Sequence, residues 1–416
     1  MFHFASTFAP LRHRDFRRLW TSTFFATGGQ WIQQATLGWV VYDVTGSASV
    51  LGAVLGIRAI PMLLLAPVTG IVADRFDRRY ALAASQLLII VMSIALAVLL
   101  AMKAVEVWHL FAFSVFSGVS AVFDRTLRST LVFHSVPRAE AGNAVALNSI
   151  AFSVSRTIGP SVAGFLIGAV GAAWNFGVQA LLYTCVIFAA LSVRATPPAP
   201  REPTRSTAWA DLREGVRFTT RDPIARMMVM LGLVPPLFLI PSFSALMPVF
   251  AADVFKSGPE GLGLMLSAVG VGGVLGGIVS AWITRYDQSG LIQALALAVF
   301  AFALIAFAVS PNIAVAVGFL ALAGVAEMVH HTVHVTTLQM CAPEHLRGRI
   351  ASLLPIFPAF ISVGALLAGV LTEFLGPEVV VILLAFCALA VVVAAWARSA
   401  AVRELRMSRL IARNEP

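Results

Sequence analysis

Long apolar stretches separated by short charged clusters dominate the chain. Breaking them at charge, proline and glycine predicts twelve helical segments near 18–42, 48–73, 80–102, 107–131, 142–169, 172–193, 224–252, 260–284, 290–309, 312–338, 350–375 and 378–398. Each is as long as the roughly 20 residues that cross about 30 Å of hydrocarbon. The chief polar interruption, 194–222, holds PPAPREPTR and then ADLREGVRF, a proline-rich spacer followed by a short charged helix expected at the membrane surface. The expected organisation is an N-terminal six-helix half over 1–193, a cytoplasmic linker over 194–222, a second six-helix half over 223–398 and a basic cytoplasmic tail over 399–416.

Composition supports a membrane protein. The chain is 59% hydrophobic and 12% charged, with a mean hydropathy of +0.88, against about 45–50% and about 25% in soluble proteins. Twelve spans leave no length for a large soluble catalytic domain. The net charge of +9 comes from cations at segment ends, which excludes a nucleic-acid-binding face. With the N-terminus inside, the inner loops carry Arg12 to Arg18, Arg75 to Arg79, Arg138, the linker arginines, Arg285, Arg347, Arg349 and the tail, and the outer loops only Lys103 and Lys256. This bias places both termini in the cytoplasm. The arginine-rich start does not read as a signal peptide, so the first helix is expected to be retained. Cys185, Cys341 and Cys387 show no CxxC spacing, so no disulfide framework, metal site or cofactor is expected.

Sliding the chain by 206 residues lays GVSAVFDRTLRSTL from Gly118 over GVAEMVHHTVHVTT from Gly324. It pairs Gly118 with Gly324, Thr126 with Thr332, Thr130 with Thr336 and Pro137 with Pro343. The fourth segment thus corresponds to the tenth, as two parallel repeats require.

After the second segment, Gly70, Asp74, Arg75, Arg78 and Arg79 lie in GIVADRFDRR. This run resembles the loop signature of the major facilitator superfamily, with Asp77 where that signature has glycine and a tight turn. Gly70 is expected to let helices approach, and the arginines to hold the loop at an anionic leaflet. Gly159, Pro160 and Gly164 in RTIGPSVAG resemble the glycine–proline motif of the superfamily's antiporters. FRRLW, VYDVTGSASVLG, VPRAEAGNAVALNS, DLREGVRF and PEHLRGRIAS extend the likeness to the enterobactin-exporter-like branch, the transmembrane secretion effectors. The resemblance implies an all-α membrane protein of twelve transmembrane helices in two six-helix pseudo-repeats, exporting siderophores or hydrophobic compounds.

Charges at membrane depth are the candidate chemistry, because each needs a partner or water. They are Arg58, Asp124, Arg125, Arg156 and Glu327. Glu327, His330, His331 and His334, at spacings of three, four and seven, are read as one helical face that takes and releases protons, with Asp124 as a partner for a charged histidine. The competing reading has these histidines bonding neighbouring helices at fixed charge. Gln30, Trp31 and Gln34 offer neutral polar and aromatic contacts to a substrate, and Arg58, Asn148 and Arg156 further polar contacts. Interhelical bonding is the alternative for the glutamines.

The expected function is proton-coupled efflux of a small amphiphilic molecule by alternating access. The expected setting is the bacterial-type cytoplasmic membrane, the partners substrate, protons and lipid, and the state a monomer. An importer or facilitator, sodium coupling, or a sensor or assembly factor without turnover remain alternatives. No nucleophile motif or phosphate loop supports an enzyme.

Overall fold

The structure is a computed structural model that describes residues 8–193, 217–283, 286–341, 357–399 and, in the tail, 403, 405, 406 and 408. The described secondary structure is helical throughout. Helix α1 (Arg14–Thr45) ends on Gly46, whose φ of 60° lets its N–H reach the Tyr42 carbonyl. The second predicted segment is two helices, α2 (Ala48–Ile57) and α3 (Ala59–Arg75), parted at Arg58. Pro61 explains the break, because it has no N–H for the Ile57 carbonyl four residues before it. Next come α4 (Arg78–Ala101), α5 (Val107–His134), α6 (Ala141–Val170) and α7 (Ala172–Leu191).

Helix α8 (Pro223–Val234) loosens into a π turn at Pro235–Leu239, and a second π turn follows at Phe250–Val254. Prolines 235, 236, 241 and 248 remove four amide donors along this run, so regular i to i−4 bonding cannot be kept. The chain continues as α9 (Gly258–Ile283), α10 (Ser289–Ala308), α11 (Ile313–Met340), α12 (Phe357–Leu375) and α13 (Pro377–Arg398). Ten described helices are long and apolar enough to cross a membrane. Helix α1, rich in glutamine and threonine, and α12, whose apolar run is Ala359–Leu375, fall at the two remaining predicted positions. The outward faces are apolar, with Leu64, Phe188, Trp282 and Phe374 exposed, as hydrocarbon surroundings require. The surface helix expected in the linker, and Arg347 and Arg349, lie outside the described residues.

The chain forms two compact units. Unit 1 comprises 1–46, 57–201 and 257–267, and unit 2 comprises 47–56, 202–256 and 268–416. Each therefore includes a short piece from the other sequence half. In unit 1, α1 packs on α6 and α7, and α4 on α5 and α7. Phe16, Leu19, Leu82, Leu127 and Leu147 form one buried cluster. The first turns of α9 lie on α6, where Gly164 meets the Pro259 carbonyl, Gly263 meets the Pro160 carbonyl, and Ser161 donates to Ser267 at 2.6 Å.

In unit 2, α10 packs on α11 and α13, with Phe250 and Phe307 centroids 4.6 Å apart. Helix α2 lies against α12. Gly52 faces the Ala365 carbonyl, Gly369 faces the Ala48 carbonyl, and the Glu373 carboxylate accepts from Ser47 Oγ at 2.5 Å and the Ser49 amide at 3.1 Å. Glu373 thus satisfies donors at the start of α2. Ser408 in the tail donates through its amide to Asp287 at 2.7 Å, and Leu405 is buried.

Gly272 and Gly276 let α9 meet α11 backbone to backbone, and a Cβ at Gly272 collides with the Ala321 carbonyl. At Gly277 a Cβ meets nothing within 4 Å. Gly272→Ala is therefore expected to cost about 1–3 kcal/mol of stability, while Gly277→Ala leaves it equal or higher. The thermal midpoint of purified protein in detergent checks the contrast.

Candidate functional site

The loop signature sits between α3 and α4 of unit 1. Asp77 has φ −62° and ψ 117°, an extended conformation open to any residue, so no glycine turn is required here. Its carboxylate caps α4 by accepting from the Arg79 amide at 2.9 Å, and pairs with the Arg79 guanidinium at 2.7 Å. Arg79 also donates to the Val193 carbonyl at 2.9 Å, and Arg18 donates to the neighbouring Ser192 carbonyl. Two guanidiniums therefore cover the C-terminal end of α7, where carbonyls lack helical partners and the helix dipole is negative. Arg78 donates to the Ala73 carbonyl at 3.0 Å, while Arg75 is exposed. A Cβ at Gly70 meets nothing within 4 Å among the described residues. Asp74 ends α3 with Arg75.

Deeper in unit 1, Asp124 is held by its own helix and its neighbour. Arg128, one turn on, pairs with it at 2.5 Å, and Gln86 of α4 donates to it at 2.8 Å. Arg128 also reaches Ser22 of α1 at 2.6 Å, so three helices meet on one ion pair. Within unit 1 the i, i+4 arginine is thus already in reach of Asp124. Thr69 and Thr126 are hydrogen-bonded at 3.2 Å beside it.

The glutamines of α1 divide in role. Gln33 is buried and accepts from Gln179 of α7 at 2.6 Å, while Gln30 and Gln34 are half-buried. Trp31 stands edge-on to Phe152 with centroids 5.8 Å apart, and the Arg156 guanidinium lies 5.8 Å from its ring centroid. The Trp31 Nε1 and Asn148 Oδ1 atoms are buried without a hydrogen-bond partner among the described residues. Gly159 touches the Trp31 side chain, which brings the antiporter-like motif of α6 onto this group. Pro160 sits inside a continuous α6. Asn175, Gln179 and Tyr183 of α7 escaped the sequence reading. Their spacing of four and eight in an apolar segment marks one polar face.

In unit 2, the face expected from Glu327, His330, His331 and His334 splits. His330 and His334 are buried with rings stacked at 5.4 Å, whereas His331 is exposed, because adjacent residues point about 100° apart on a helix. Glu327, half-buried, lies one residue short of a turn from His330. His334 is edge-on to Phe357 at 5.6 Å and its ring fills the space at Gly232 of α8. Nδ1 of His330 and both ring nitrogens of His334 are buried without a hydrogen-bond partner among the described residues. No group of three or more metal-binding side chains occurs among the described residues.

The family model for transmembrane secretion effectors matches residues 5–414. The chain belongs to that family. This member of the major facilitator superfamily is a multi-pass membrane transporter of small molecules and not an enzyme. It is 26% identical to the multidrug efflux pump Tap of Mycolicibacterium fortuitum, over 84% of this chain and 87% of that protein. It is 25% identical to the enterobactin exporter EntS of Shigella boydii, over 69% of this chain and 68% of that protein. The crystal structure of the nucleoside transporter NupG superposes with a TM-score of 0.73 at 15% identity, covering 92% of this chain and 98% of that one, which shows the shared fold.

The loop generates a prediction for this family member. The Arg79 side chain and amide hold the Asp77 carboxyl below the usual carboxylate range, against a smaller upward push from burial. A depressed value stabilises the fold above the unfolded-state value and loses that stabilisation as pH falls through the folded-state value. Asp77→Ala is expected to cost about 1 kcal/mol near neutral pH. Asp77→Asn keeps the cap and loses the ion pair, and its difference from wild type should begin to shrink as pH falls through about 4 and be lost once pH passes the lower folded-state value. Thermal midpoints across pH measure both effects.

Proposed function

We propose that the chain is a proton-coupled exporter of a small amphiphilic molecule, siderophore-like or drug-like, working by alternating access as a monomer in the cytoplasmic membrane with both termini inside. The observation that supports the proton coupling is the buried His330–His334 stack, in which His330 Nδ1 and both His334 ring nitrogens lack hydrogen-bond partners among the described residues, about one turn from Glu327. A charge created at such depth is costly unless substrate, water or an opposite charge accompanies it, so protonation and substrate occupancy become linked. Export, rather than uptake, is supported by the names of relatives: Tap is an efflux pump and EntS an exporter. Gln30, Trp31, Gln34, Asn148 and Arg156 contact the substrate in this reading, and the Asp77-braced loop with Arg75, Arg78 and Arg79 controls the inner side.

Reconstituted full-length protein, a luminal pH dye and a panel of siderophores, dyes and antibiotics test it. Compound-triggered proton movement is expected in wild type, with at least about a tenfold loss in Glu327→Gln and in the His330→Asn, His334→Asn double variant. Unchanged proton flux in a folded Glu327→Gln protein removes Glu327 as a carrier, and unchanged flux in the double variant removes the histidine pair. Silence across the panel from folded wild type overturns proton antiport.

A further inference from the structure

Arg58 occupies an unusual place. It stands at the break between α2 and α3, its carbonyl packed against Gly118 of α5, well inside an apolar segment. Its Nε is buried without a hydrogen-bond partner, and no ion pair joins it to a carboxylate among the described residues. The ionisable groups that act on it are the Tyr183 hydroxyl and a like charge, Arg125. Asp124, the carboxylate that also acts on Tyr183, is taken by Arg128 and Gln86. This part of unit 1 therefore holds an uncompensated positive charge. Lipid cannot solvate it, and a guanidinium presents a planar fork suited to a carboxylate.

We propose that Arg58 receives the anionic group of the transported molecule, so that the substrate class is organic anions with an apolar body. The assignment deepens the export reading and rests on it. A fixed cation at this depth repels cationic amphiphiles and gives neutral ones nothing to offset the water that Arg58 loses. Arg156, stacked on Trp31, adds a second cation on the same unit and an aromatic surface for the apolar part.

Full-length protein in nanodiscs tests this with three dansyl amphiphiles that share one alkyl chain and end in a carboxylate, a neutral amide or a quaternary ammonium. Wild type is expected to bind the carboxylate about tenfold or more tightly than the other two. Arg58→Gln should erase that preference by weakening the carboxylate probe and not the neutral amide, and Arg58→Lys should keep part of it. Equal binding of all three probes by wild type overturns the proposal, as does an Arg58→Gln protein that keeps the preference or weakens every probe alike. If Arg58→Gln does not fold, the wild-type ranking and the Arg58→Lys variant still decide. Binding needs no gradient, so anion-selective binding without flux leaves this assignment standing and removes export. Flux without anion preference does the reverse.

Discussion

Hydrocarbon gives helices no reason to associate, since a leucine loses nothing by facing a lipid tail. What holds this chain together is close backbone approach at small residues, supplemented by polar side chains that find each other away from water. Gly272 against Ala321, Gly164 against Pro259 and Gly52 against Ala365 are all places where one methyl group is too many. The Gln33–Gln179 and Asp124–Arg128–Gln86 bonds join helices in the same unit that apolar packing alone would leave free to slide.

The same constraint governs the sites. A polar atom left without a partner in water is trivial, and in a bilayer it marks either a cost or a use. Most polar side chains at depth have been given partners, as in the amide and ion-pair networks of unit 1. Among the described residues the buried atoms without a partner include His330, His334, Trp31, Asn148 and Arg58, and also single atoms of Gln86, Asn175, Gln179, Ser242, Ser244, Gln293 and Thr337. The cytoplasmic loop behaves in the opposite way. There every charge of the Asp77–Arg79 pair is spent on helix ends, so the arginines act as fixed caps on α7 as well as as a positive surface.

Segment positions were legible because hydropathy and charge punctuate the chain so sharply, and the family signature could be read from GIVADRFDRR. The break at Arg58 was not, although Pro61 announces it, because a run of apolar residues conceals which carbonyl loses its donor. Spacing placed the four residues of α11 on one side, yet a helical wheel cannot tell a buried side from a broad one, and His331 fell outside it. Arg128, four residues from Asp124, is a partner that helical spacing alone makes legible. The polar face of α7 carries no formal charge, so Asn175, Gln179 and Tyr183 do not stand out from an apolar segment in the sequence.

The pairing of α2 with α12 bears on how the protein is made. Ser47 and Glu373, which bond in the finished molecule, are 326 residues apart, so α2 leaves the ribosome long before its packing partner exists. Until then Gly52 and Gly56 lack the α12 backbone that they meet in the finished molecule. The reciprocal holds for α6, which waits for 257–267 to be synthesised. Each unit therefore needs residues synthesised after the linker before it is complete.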